Sequence, residues 1–213
     1  MSDLLVRIFE ILGIVAFSIS GAMVAIRQRM DLFGVVFMGF ITSFGGGLIR
    51  DGLMGVTPPL LFQSYSFIVT SVLTSLVVFL IALVGKNHYQ NHEDMIERIN
   101  NIFDALGLGV FVVIGTQAAM DADVSQSGFF IISMAVVTGV GGGLLRDMII
   151  REIPFILKKR IYVVAAALGA VTYWLLNKVG VTMSLALWAG VLVTFALRVL
   201  ATVFKWNFPK AIP

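Results

Sequence analysis

Seven stretches of this chain are apolar around their full circumference. Each is close to the roughly 20 residues that a helix needs to cross the hydrocarbon core of a bilayer. They fall at about Leu4–Ile26, Phe33–Met54, Leu60–Val84, Ile102–Met120, Gly128–Ile150, Ile161–Leu176 and Met183–Phe204. Polar and apolar residues do not alternate along them, so the period-2 pattern of a membrane β-barrel is missing. What lies between is too sparse to coat a soluble body. Of 213 residues, 59% are hydrophobic and 13% charged, against about a quarter charged in soluble domains. The chain reads as an all-α integral membrane protein with seven transmembrane helices.

Prolines mark two of the joints: Pro58-Pro59 between spans two and three, and Pro154 between five and six. The longest polar stretch, residues 85–101 (GKNHYQNHEDMIERINN), is the natural cytoplasmic linker between two halves. Its His88 and His92 read as part of a solvated loop. The opening MSDLLVR lacks the basic start and small-residue cleavage site of a secretory signal, so the first span is expected to stay in the protein. Tyr65, Tyr162, Tyr173, Trp174, Trp188 and Trp206 suit interfacial belts.

Seven spans place the ends of the chain on opposite sides. Arg50, Arg146 and Arg198 fall within spans. Of the other basic residues, Arg7 and Lys178 share the side of the N-terminus. Arg27, Arg29, Lys86, Arg98, Arg151, Lys158, Lys159, Arg160, Lys205 and Lys210 share the opposite side. The positive-inside rule then puts the N-terminus outside and the C-terminus in the cytoplasm. Lys158–Arg160 is read first as part of that signal, with an anionic-lipid or polyphosphate site as the alternative.

The chain also contains itself twice. FEILGIVAFSISG (Phe9–Gly21) aligns with FDALGLGVFVVIG (Phe103–Gly115), and, two residues further out of step, GGGLIRD (Gly45–Asp51) aligns with GGGLLRD (Gly141–Asp147). Residues 4–84 therefore correspond to 102–176, and the span at 183–204 is left over. Each unit has three spans, so the second enters the membrane inverted relative to the first. This is a plan of transport proteins whose sites lie at the repeat interface.

The two triplets, Gly45, Gly46, Gly47 and Gly141, Gly142, Gly143, admit two readings. They either allow close helix packing or break the helix and turn its carbonyls towards a permeating ion, which is tolerated at membrane depth only beside protein or water. Arg50, Asp51, Arg146 and Asp147 are intramembrane charges, rare enough to count as pore-lining candidates, with snorkelling to an interface as the alternative. Adjacent residues on a helix point in different directions, so pairing of each Arg with its own Asp cannot be assumed. Glu10 and Asp104 occupy equivalent places in the first turns of spans one and four. They either complement a helix N-terminus or attract cations at a vestibule. No Walker loop, HExxH, GxSxG or histidine dyad is present and there is no cysteine, so neither an enzyme nor a thiolate metal site is expected. The net charge of +3 is topological and does not point to nucleic acid.

Two three-span halves, each with a glycine triplet followed by Arg-Asp, plus a seventh span, resemble the prokaryotic members of the trimeric intracellular cation (TRIC) channel family. The same repeat is found in bacterial membrane proteins described as glycine-transporter-like. The resemblance implies a homotrimer embedded in membrane lipid, with one pore per subunit between spans two and five, kinked at the two triplets. It implies conduction of K⁺ and Na⁺ with no cofactor, and a place in the bacterial inner membrane. The competing expectation is a secondary transporter of a small zwitterion such as glycine.

Overall fold

The computed structural model describes residues 2–85, 93–122, 124–158 and 161–206. The seven expected spans are helices: α1 Ser2–Arg27, α2 Leu32–Met54, α3 Tyr65–Val84, α4 Glu93–Asp121, α5 Gly128–Ile149, α6 Ile161–Lys178 and α7 Met183–Val203. All seven are long and apolar enough to span a membrane. A 3₁₀ turn, Leu60–Gln63, leads into α3, and a short helical turn, Phe155–Lys158, leads into α6. No strand occurs among the described residues. α4 begins at Glu93, inside the stretch read as linker. His88, His92, Lys159 and Arg160 lie outside the described residues.

Local chemistry sets the helix ends. Asp31 caps α2 by accepting from the Gly34 amide at 2.8 Å. Gly55 ends it in the left-handed region at φ 71°, which a residue without Cβ adopts at little steric cost. The second repeat puts Arg151 at the matching point, also left-handed at φ 57°.

The two repeats interlock face to face. α2 packs most extensively on α5, and α1 packs on α4. Both pairs run antiparallel: Gly46 meets Thr138 while Gly142 meets Thr42, and Gly13 meets Val110 while Gly107 meets Phe17. The inverted repeat read from the sequence thus appears as a pseudo-twofold arrangement of contacts. Phe17 and Phe111, equivalent in the two repeats, stack with ring centroids 5.3 Å apart. They belong to one core cluster with Ile14, Phe44, Leu108 and Val140. α7 has no counterpart in the repeats and packs mainly on α6 and α4, with Trp188 also meeting the Phe9 ring of α1 edge-on at 4.9 Å.

Candidate functional site

The glycine triplets lie where α2 crosses α5. A methyl on Gly46 would land on the Thr138 carbonyl oxygen, and one on Gly142 on the Thr42 carbonyl oxygen, well inside the 3.0 Å that real Cβ atoms keep. Glycine is required there because two backbones touch. Gly45 lies against Gly142 and Leu145, and Gly141 against Gly46 and Ile49, so the contact is reciprocal. Gly47 is different: a methyl there meets only Arg50 Nη2, at 3.8 Å. The helices stay α-helical through both triplets. The unwound turn with freed carbonyls that the sequence allowed is therefore absent. A continuous helix keeps its backbone hydrogen bonds and uses the missing side chains for close approach.

On one side of the crossing lies a cavity of about 440 Å³. Its walls come from the N-terminal parts of α1 and α3, the C-terminal parts of α2 and α4, and the turn before α3. Inverted spans bring those ends to the same face of the membrane. Glu10, Asp51 and exposed Asp121 line it together with Arg50, and it reaches inward to Ser43 and Thr138 at the crossing. Three carboxylates against one guanidinium give it a formally negative wall, which favours cations. Gln117 spans the rim: its amide nitrogen donates to Asp121 Oδ1 at 2.8 Å, and its carbonyl accepts from the Tyr173 hydroxyl.

Each Arg-Asp motif forms an internal pair, a pairing that side-chain direction alone left open. Arg50 Nε and Nη2 donate to Asp51 Oδ1 at 2.9 and 2.7 Å, and Arg146 Nε donates to Asp147 Oδ1 at 2.9 Å. The long arginine side chain folds back across one residue, which helix spacing alone does not forbid. The second carboxylate oxygen has the same task in both repeats. Asp51 Oδ2 accepts from the Leu60 amide and Asp147 Oδ2 from the Phe155 amide, each at 2.8 Å. Each aspartate thus ties the end of its crossing helix to the start of the next helical segment. All four residues are buried, so none snorkels to an interface.

On the other side of the crossing the equivalent residues are buried. Asp104, the counterpart of Glu10, is 2% exposed, which removes it from any vestibule. Arg146 Nη1 donates to Asp104 Oδ1 at 3.1 Å and to Ser20 Oγ at 2.8 Å. Arg198 Nη2 from α7 stands 3.7 Å from Asp104 Oδ2, and its guanidinium lies over the Tyr162 ring at 4.4 Å. The first repeat lacks these parts: Ile114 stands opposite Ser20, Ser66 opposite Tyr162, and no helix matches α7. Neither acid sits in a first helical turn, because α1 starts at Ser2 and α4 at Glu93. The helix-terminus reading of both therefore falls away. Tyr162 and Tyr173 are buried, not interfacial, whereas Tyr65, Trp188 and Trp206 are exposed. Sequence reasoning missed Arg198. Its signal was an arginine inside an apolar span, which needs a counter-charge.

The comparisons agree with this architecture. A family model described as glycine transporter matches residues 7–82 and 101–178, the two repeats. The UPF0126 membrane protein YvgT of Bacillus subtilis is 34% identical over 96% of this chain and 95% of its own. The UPF0126 inner membrane protein YadS of Escherichia coli K12 is 33% identical over 96% and 94%. Among solved structures, the TRIC trimeric intracellular cation channel orthologue from Rhodobacter sphaeroides superposes with a TM-score of 0.84 at 32% identity, covering 95% of this chain and 99% of that one. A prokaryotic TRIC channel crystallised in 0.5 M KCl gives 0.86 at 32% identity, covering 97% and 100%. With both repeats, the glycine crossing and the seventh helix accounted for, the chain belongs to the TRIC channel family, which the glycine-transporter model also describes, and is a multi-pass membrane protein.

Proposed function

We propose that this protein is a cation channel. It works as a homotrimer with one pore per subunit, running between α2 and α5. The observation that carries the reading is the cavity that ends at the helix crossing with three carboxylates and one arginine on its wall. Superposable TRIC cation channels support it over nearly the whole chain. The permeant ions are K⁺ and Na⁺, no cofactor takes part, and no chemical reaction is catalysed. In the inner membrane, with the N-terminus outside, the cavity faces the periplasm. The buried Asp104–Arg146–Arg198–Tyr162 cluster closes the cytoplasmic half, so conduction requires that cluster to loosen.

The glycine-transporter description of the matching family favours a second reading, a carrier for glycine. Purified protein in planar bilayers separates them. Discrete unitary steps whose reversal potential follows the cation gradient are expected. Saturable glycine uptake in vesicles, without unitary steps, would establish the carrier instead.

A further inference from the structure

Four buried serines form a seam between α1, α2 and α3. Ser18 Oγ lies 2.8 Å from Ser43 Oγ and donates to Ser71 Oγ at 2.8 Å. Ser75 Oγ, fully buried, has no hydrogen-bond partner among the described residues. The second repeat has nothing like it. At the equivalent positions stand Val112 for Ser18, Gly139 for Ser43, Ala167 for Ser71 and Val171 for Ser75. The Ser18–Ser43 contact has its image in Gly139, where an added Cβ would meet Val112 Cγ2 at 2.6 Å. One repeat joins its first two helices through hydroxyls and the other through apolar packing.

Only one member of the seam, Ser43, also lines the cavity. Its single proton has three oxygens in reach, all within the protein wall: Ser18 Oγ at 2.8 Å, Gly39 O at 2.9 Å and Ile14 O at 3.1 Å. Two of those are carbonyls, which can only accept. The proton is therefore spent inside the wall, and a lone pair is left over. Thr138 also lines the cavity, but its hydroxyl, which donates to Met134 O at 2.6 Å, packs against Gly115 of α4. The remaining surroundings are apolar: Ile14, Phe44 and Phe111. Beside a negative cavity, the Ser43 hydroxyl thus offers an oxygen acceptor and not a donor. This is the chemistry that replaces part of a cation's water shell and repels an anion.

We propose that Ser43 is the cation-selecting ligand of this pathway, with its oxygen kept available because Ser18 and the Gly39 and Ile14 carbonyls occupy its proton. The inference rests on the channel reading above and places its selectivity in the first repeat. Ser18 is a positioning residue, and Ser71 and Ser75 extend the seam away from the cavity.

The chain has no cysteine, so Ser43→Cys creates a single thiol in the cavity lining. Silver ion, a thiophilic monovalent cation, is the probe, applied to purified protein in bilayers. Silver is expected to block Ser43→Cys irreversibly, and to leave both the wild type and Ser71→Cys, whose thiol lies behind the wall, conducting. Ser43→Ala is expected to lower unitary K⁺ conductance about fivefold, the worth of one net hydrogen-bond-like interaction, and to shift the reversal potential under opposed K⁺ and Na⁺ solutions. Unchanged conductance and ion preference in Ser43→Ala, or a silver-insensitive Ser43→Cys, would overturn the assignment while leaving the channel reading intact. Wild-type protein that carries no cation current would overturn both.

Discussion

Asp104 sits between two arginines, with Arg146 Nη1 at 3.1 Å from one carboxylate oxygen and Arg198 Nη2 at 3.7 Å from the other. With Asp147 included, the cluster holds two positive and two negative charges and is neutral. Removing Asp104 strands a guanidinium out of reach of water, a change that typically costs about 3–5 kcal/mol. Its counterpart Glu10 is partly exposed on the cavity wall and enters no ion pair closer than 4.0 Å among the described residues. Asp104→Ala should therefore lower the thermal unfolding midpoint of the detergent-purified protein sharply. Glu10→Ala should leave that midpoint within the range of a surface change, about 0.5 kcal/mol, while reducing cation current at low salt. Equal thermal shifts would show that the two acids are still equivalent. The sequence displayed both acids at matching positions and so predicted one role for two residues. What separates them is Arg198, Tyr162 and Ser20, supplied by other helices, and no spacing within the repeat reveals those partners. The internal Arg-Asp pairs escaped for a related reason: backbone direction was legible, but the reach of a flexible side chain was not.

The seven spans and the inversion were legible because hydropathy and an odd-numbered repeat fix them through physics that does not depend on tertiary detail. The function of each glycine within a triplet was not, since it depends on which atom of the facing helix stands opposite. Gly46 and Gly142 face carbonyl oxygens of the crossing helix, while Gly47 faces only the end of a flexible arginine and Gly52 faces nothing within 4 Å. Alanine at each position should then give opposite outcomes. Gly52→Ala should stabilise α2 by up to about 1 kcal/mol through helix propensity alone. Gly46→Ala and Gly142→Ala should destabilise by about 1–3 kcal/mol as the crossing is forced apart, and weaken conduction with it. Gly47→Ala should fold at least as well as wild type, yet narrow the cavity that Gly47 lines and lower unitary conductance. Unfolding midpoints and unitary conductance on the same four variants decide the matter. A stabilised Gly46→Ala with reduced conductance would restore the hinge reading for that position.

The seventh helix breaks the symmetry of the whole molecule. α7 lies over α6 and α4 and contributes Arg198, whereas α3, the counterpart of α6, is left open, with 11% of its apolar window buried against 33% for α6. Val69, Leu73, Val77, Ile81 and Val84 make an exposed stripe along it, a surface that either lipid or a neighbouring subunit can cover. Orientation follows from charge carried at the loops. Of fifteen basic residues, Arg50, Arg146 and Arg198 are buried, so they contact no lipid headgroup and add nothing to the topological signal. The pairing geometry thus supports leaving them out and comparing Arg7 and Lys178 with the ten on the far side. A reporter active only in the periplasm should be silent when fused after Pro213, and active when placed between α6 and α7, next to Lys178. Activity at the C-terminus would invert the molecule and turn the acidic cavity towards the cytoplasm.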